Sequence, residues 1–353
     1  MSGASPDTTG ATAPGLLMAA EVASQPEVLE RVLREAPAAV REVAAQVRRY
    51  APRFVLLAAR GTSDHAALYA KYLIETTLGL PAGLVSTSTY TTYGAEPDLS
   101  GVLWVAVSQS GGSPDLVEST RRARAGGALT LAVTNAPGSP LAEAAQLHLD
   151  MLAGPERSVA ATKTYTASLL TLLLLVEAWR DADPLDLQGL PSLAHAALDL
   201  PQVAAVAARY RFVDKLVTTS RGYAYPTARE AALKLMETCY LSAHAFSGAD
   251  LLHGPLALID ADRPVVAIVP EGPGGRALAP VLERLVERGA DLCVVAPPGV
   301  GAEPTVPLPA GMVERVAPIV QIIPLQQLAR ELAVSRGQDP DVPRGLSKVT
   351  RTL

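Results

Sequence analysis

Glu230, Lys234 and Glu237 fall at i, i+4 and i+7 of the largely apolar run 228–237, which puts them on one narrow stripe of a helix. Turned inward, the stripe shields a carboxylate from water and equips it to carry a proton. Turned outward, it is a solvated ion pair worth roughly a few tenths of a kcal/mol. The spacing allows both. A second cluster, Ser108-Gln109-Ser110-Gly111-Gly112-Ser113, follows the apolar run 102–107 and leads into a helical pattern at Asp115, Leu116, Val117 and Ser119. The first amides of a helix have no intrahelical partner and its dipole is positive there. Hydroxyls and glycines at such a junction make a seat for a phosphate, or an ordinary helix cap. The cluster holds no lysine or arginine and no Gly-Lys-Ser/Thr, which favours a small phosphate ester over a nucleoside triphosphate.

Further polar groups stand at comparable places. Arg60-Gly61-Thr62-Ser63 occupies another strand-to-helix turn, where Thr62 and Ser63 either cap the helix or face the serine cluster across a crevice. The small residues Val159, Ala160 and Ala161 would let backbone approach a ligand and Thr162 would offer a hydroxyl, although a loop with Glu156, Arg157 and Lys163 is equally a solvated one. His253, in a turn-rich stretch, is an acid–base group near neutral pH or a bystander. Of the 30 basic residues only Lys71, Lys163, Lys215, Lys234 and Lys348 are lysine, so each is either a place where a compact ammonium is wanted or a chance use.

The elements that must position these groups alternate. Strands are expected at 53–59, 82–86, 102–107 and 129–133, and helices at 63–78, 115–125 and 139–145, a grammar that predicts a parallel sheet covered on both faces. Pro26 and Pro37 divide the preceding periodic segment 16–50 into separate helices. The same landmarks return at one offset, 161 residues: Arg60-Gly61 against Arg221-Gly222, Val107 against Ile268, and Gly138 against Gly299. This predicts two copies of one α/β domain joined by helices over about 165–210. Where the first copy has Ser108-Gln109-Ser110, the second has Val269-Pro270-Glu271. A carboxylate repels phosphate and proline has no N–H, so only the first copy is expected to bind one.

The 353 residues carry a net charge of -5 without a basic block, which speaks against nucleic acid and anionic membrane surfaces as partners. Residues 1–15 read as a disordered tail, and the longest apolar run, 169–176, is too short to span a bilayer. Cys239 and Cys293 form no metal spacing and suit a reducing cytoplasm. No dinucleotide glycine motif follows the first strand, and no nucleophile elbow is present. A cofactor-free reaction on a phosphorylated small molecule is the expectation.

Taken in order, these segments resemble the SIS (sugar isomerase) family, within it the isomerase half of glutamine–fructose-6-phosphate amidotransferases and stand-alone glucosamine-6-phosphate deaminases. The resemblance runs from about Leu17 to the C-terminus. It rests on Arg60-Gly61-Thr62-Ser63, Ser108-Gln109-Ser110-Gly111, Gly154-Pro155-Glu156 with Val159-Ala160 and Thr162-Lys163, then Glu230, Leu233-Lys234-Leu235, Glu237, His253-Gly254-Pro255, Pro343-Arg344 and Lys348. It implies two tandem SIS domains, each a flavodoxin-like parallel sheet flanked by helices: 51–190 for phosphate binding and 210–338 carrying the catalytic helix, with 339–353 a tail that closes the site. By the same resemblance Ser108, Gln109, Ser110 and Ser113 hold the sugar phosphate, and Ser113 stands where threonine is usual. Gly61, Thr62, Ser63, Val159, Ala160, Ala161, Thr162, Glu230 and Lys234 complete the substrate site. Glu237 would move a proton between C1 and C2. His253 would assist ring opening from the neighbouring subunit of a homodimer, and Lys348 would approach the sugar carbonyl.

Two departures bear on activity. No cysteine precedes Cys239, so the glutaminase nucleophile is missing, and Ala161 and Leu252 replace a serine and a lysine. The implied reaction is isomerising deamination of a hexosamine phosphate without metal or redox cofactor. A deglycase, an aldose–ketose isomerase and a non-catalytic sugar-phosphate sensor are the alternatives.

Overall fold

The computed structural model describes residues 13–348; most of the expected N-terminal tail and the last five residues lie outside the described residues. Three helices open the chain: α1 (Leu16–Ala23), α2 (Gln25–Glu35) and α3 (Pro37–Tyr50). Pro26 and Pro37 sit in the first turns of α2 and α3, where a missing N–H costs nothing, so each starts a helix instead of kinking one. The first sheet follows through β1 (Phe54–Ala58), α4 (Thr62–Leu73), β2 (Ala82–Leu84), α5 (Ser88–Thr91), β3 (Val102–Ser108), α6 (Pro114–Ala125), β4 (Leu129–Thr134), α7 (Pro140–Ala144) and β5 (Leu147–Asp150). The helix expected over 63–78 ends at Leu73 and continues as a π-helical turn, Ile74–Leu78. There the Thr76 hydroxyl donates to the Tyr72 carbonyl at 2.6 Å, a side-chain partner that competes with the helical ladder.

Three helices, α8 (Lys163–Arg180), α9 (Leu190–Leu198) and α10 (Gln202–Arg209), lead to the second sheet. It is built from β6 (Lys215–Ser220), α11 (Tyr225–Cys239), β7 (Ser242–Ser247), α12 (Gly248–Leu252), β8 (Val265–Ile268), α13 (Pro273–Glu287), β9 (Leu292–Ala296) and β10 (Val306–Pro307), and α14 (Ala317–Ser335) closes the chain. The strand orders are β2-β1-β3-β4-β5 and β10-β9-β8-β6-β7, all parallel. Read from β7, the second order repeats the first. Even the register repeats, with Val55 opposite Leu103 and Val217 opposite Val265. The duplication inferred from one sequence offset is therefore a duplication of topology. In each sheet the order reverses at the first strand, and ligands of such sheets bind at that reversal, beyond the strand C-termini.

One apolar core spans both sheets. It runs from Met18 and Leu29 through Leu169 and Leu173 of α8 and Ile319 and Ile322 of α14 to Cys293 and Val295. The expected buried helix is α8, apolar almost all round. Burial pushes the thiols of Cys239 and Cys293 up to about 11 and about 12. No helix among the described residues is long and apolar enough to cross a membrane.

The two chain ends are tied together. The Asp341 carboxylate accepts the amides of Leu17 and Met18, each at 2.8 Å, and Asp339 accepts that of Gly15 at 3.0 Å. The C-terminal segment thereby satisfies the free N–H groups of α1, a cap supplied from the far end of the chain. Asp341→Ala is expected to lower stability by about 1 kcal/mol, as for loss of an N-cap. A shifted urea midpoint at unchanged m-value would show it.

Candidate active site

A cavity of about 340 Å³ opens at the switch point of the first sheet. Gly61, Thr62 and Ser63 reach it from the β1–α4 turn, and Ser108, Gln109, Ser110 and Ser113 from the β3–α6 turn. The second turn is wound on its own hydroxyls: Ser108 Oγ accepts the Gly111 amide at 3.1 Å and Ser110 Oγ that of Gly112 at 3.2 Å. Gly111 has φ of +60°, and a Cβ there would lie 2.0 Å from Ser139 Oγ, so only glycine fits. Ser113 is the N-cap residue of α6 but makes no side-chain cap bond. Its hydroxyl, which lines the cavity, is thus not used up as a cap.

Arg60 adds a cation that the sequence reading left out. Its Nε donates to Asp115 Oδ2 at 2.9 Å and its Nη2 contacts the Thr87 hydroxyl, which itself donates to Asp115 at 3.1 Å. The buried Asp115 carboxylate fixes the guanidinium at the cavity wall. Arg60 and Asp115 are far apart in sequence and meet only because β1 pairs with β3. At the corresponding junction of the second sheet a carboxylate from the chain itself meets the helix start. Glu314 accepts the Gly274 amide near the start of α13 at 2.8 Å. A Cβ on Gly272 or Gly274 would lie 2.5 or 2.4 Å from that carboxylate.

The 154–163 loop is held by two carboxylates. Buried Glu156 accepts the amides of Thr162 at 2.9 Å and Thr164 at 3.1 Å, and the Thr164 hydroxyl at 2.6 Å. Glu21 of α1 accepts the amides of Arg157 and Ser158; burial, and next the charge of Glu156 against the backbone N–H bonds, leave it above the ordinary carboxylate value. Lys348 of the tail closes the group, donating to Glu156 Oε2 at 2.8 Å and to the Ser158 carbonyl at 2.7 Å. Val159, Ala161 and Lys348 line the cavity, but Ala160 and Thr162 do not. Because α8 begins at Lys163, Thr162 is wound inward, fully buried. Its hydroxyl has no partner among the described residues. The wall is made instead by Thr164, Tyr165 and Ser168, which share one face of α8.

The α11 stripe is turned inward. Glu230 and Lys234 are completely buried, which excludes the solvated ion pair. Thr62 donates to Glu230 Oε1 at 3.0 Å, and His65 Nδ1 lies 2.7 Å from Glu230 Oε2. Lys234 Nζ donates to Thr62 Oγ1 at 3.1 Å and to Glu237 Oε2 at 2.5 Å, with Glu230 Oε1 at 3.4 Å. Burial alone would raise the Glu230 carboxyl, yet Lys234, His65 and Thr62 hold it below its ordinary value. Lys234 is likewise held above its own value by the two carboxylates against burial. Of the three, only Glu237 reaches the cavity; Glu230 and Lys234, expected as substrate contacts, stand behind it. His253 is exposed on the turn after α12 and does not line the cavity.

Removing one partner from such a buried set leaves an uncompensated charge. Lys234→Met is expected to cost about 3–5 kcal/mol and the double variant Glu230→Gln/Lys234→Met distinctly less, measured by urea unfolding. Linkage fixes the pH window. The Glu230 contribution is complete above its ordinary 4.5 and lost as pH falls through the lower folded value; the Lys234 contribution is complete below 10.5 and lost above its raised value. The double variant should therefore flatten both flanks of the stability–pH curve.

The SIS domain family model matches residues 50–178 and 211–298, one segment on each sheet. The chain is 37% identical over 301 residues to the isomerizing glutamine–fructose-6-phosphate aminotransferase of Methanothermobacter thermautotrophicus, covering 83% of this chain and 51% of that protein. It thus spans about half the length of that relative. A protein of Silicibacter pomeroyi assigned as a phosphosugar isomerase matches with a TM-score of 0.84 at 36% identity, over 92% of this chain and 99% of that one. The C-terminal domain of glucosamine-fructose-6-phosphate aminotransferase from Francisella tularensis matches with a TM-score of 0.83 at 28% identity, over 95% and 99%. With the duplicated sheets, the two matched segments and this identity along most of its length, the chain belongs to the SIS domain family.

Proposed function

We propose that this protein isomerises and deaminates an aminosugar phosphate, converting glucosamine 6-phosphate and water to fructose 6-phosphate and ammonia. The observation that carries the reading is one cavity, of a size suited to a hexose phosphate, in which the open α6 N-terminus and Glu237 face the same space. The phosphate sits on the Ser108–Ser113 turn, with Arg60 as the neighbouring cation. The Glu237 carboxylate takes the C2 proton of the open-chain aldose amine, giving an enolamine, and returns a proton to C1. The product is an imine at C2. Water adds to that carbon, ammonia leaves and the C2 carbonyl forms. C1 is reduced as C2 is oxidised, so no external oxidant or reductant enters.

Several features support this order of events. Lys234, at 2.5 Å behind Glu237, orients the carboxylate and stays out of the substrate's reach. Lys348 adds an ammonium to the cavity lining, where it stabilises the oxygen charge that develops during enolisation. His253 is exposed and outside this cavity, so its proposed part in ring opening requires a second copy of the chain. Both cysteines are buried with raised thiols, so neither is poised as a nucleophile at this site; water is the proposed partner of the imine. The relatives' names carry isomerization and fructose 6-phosphate, which supports the sugar class.

Ammonia release is to be assayed with glucosamine 6-phosphate, galactosamine 6-phosphate and fructosamine 6-phosphates. Release from a hexosamine phosphate is expected, with kcat in Glu237→Gln reduced about 10²–10⁴-fold. Arg60→Met is expected to raise KM for the phosphorylated substrate while kcat changes little. Release from none of the hexosamine phosphates would sink the deaminase reading; turnover of fructosamine 6-phosphate alone would select the deglycase, and binding without any turnover the sensor.

A further inference from the structure

Glu230 shares one oxygen between Thr62 and Lys234 and gives the other to His65. His65 stands one turn along α4 from Thr62, is 7% exposed, and lines a second cavity of about 570 Å³ on the far side of the Gly61 turn. A continuous chain of contacts, His65–Glu230–Lys234–Glu237, thus crosses the α4–α11 seam from one cavity to the other, with no link longer than 3.4 Å. Its charges do not balance while His65 is neutral: two carboxylates share one ammonium.

With His65 neutral, Lys234 divides its attraction between Glu230 and Glu237. With His65 protonated, Glu230 has a cation of its own, and Lys234 is left to Glu237. A more strongly held carboxylate is a weaker base. We propose that His65 is a positioning residue that sets the basicity of Glu237 through Glu230 and Lys234, so that proton abstraction speeds up as His65 loses its proton. Other charged or titratable groups line the same cavity: Asp64 on its own helix, Arg60 in the preceding turn, Arg229 on α11 and His244 on β7. Arg229 lies 3.8 Å from Asp64, which leaves Glu230 as the carboxylate in direct contact with the ring. The inference rests on Glu237 as the base.

Two measurements on the full chain test it. The first needs no turnover: NMR titration of the His65 ring in wild type and in Glu237→Gln. Coupling is reciprocal, so removing the Glu237 charge, which frees Lys234 for Glu230, should move the His65 midpoint to lower pH. An unmoved midpoint overturns the inference. The second is deuterium uptake from solvent into C1 of fructose 6-phosphate between pH 5 and 9. Wild type should show a rate that rises through the His65 titration, and His65→Gln, which keeps an N–H for Glu230, should lose that rise at unchanged KM and melting temperature. His65→Leu should be slower throughout and less stable. A His65→Gln profile that superimposes on wild type overturns the inference. Exchange that persists at full rate in Glu237→Gln overturns instead the assignment of the base.

Discussion

A single ammonium, Lys234, sits without solvent contact between two carboxylates and a threonine hydroxyl at the seam of the two sheets. Desolvating that charge is expensive, and only complete pairing offsets it. The cost explains why the surroundings are so specified: Thr62 has to come from the β1–α4 turn, Glu230 and Glu237 from one face of α11, and His65 from the next turn of α4. The sheets cannot slide against each other without stranding a charge. The site therefore gains its rigidity from electrostatics as much as from the apolar core around it.

Much of this was legible in the chain. The alternation of strands and helices fixed the fold class, and one recurring offset announced the duplication because both copies keep their turn chemistry. Glu230, Lys234 and Glu237 were visible as a stripe, but whether it faced in or out was not, since helical spacing is the same on either face. That is decided by α4 packing on α11, a contact between residues distant in sequence. Arg60 was missed for the same reason: its partner Asp115 lies on the helix after a neighbouring strand. Thr162 was misplaced because a helix starting one residue later turns the hydroxyl away from the cavity. The family resemblance supplied roles for His253 and Lys348 that spacing could not.

Part of the cavity wall is tied to the terminal segments of the described chain. Lys348 is held by Glu156 and the Ser158 carbonyl, the same loop by Glu21 of α1, and α1 by Asp341 from the tail. These contacts form a closed circuit that begins and ends beside the cavity. The tail thus contacts the loop both directly and by way of α1.

Glu314 gives the duplicated junction a different thermodynamic character in each half. At α13 the anion is part of the polypeptide, so its effective concentration at the helix terminus is constant. At α6 the N-cap Ser113 makes no side-chain cap bond, so under the proposed reading a free anion fills that position, by mass action. Under that reading the molecule joins a half capped from within its own chain to a half whose cohesion follows the supply of its ligand.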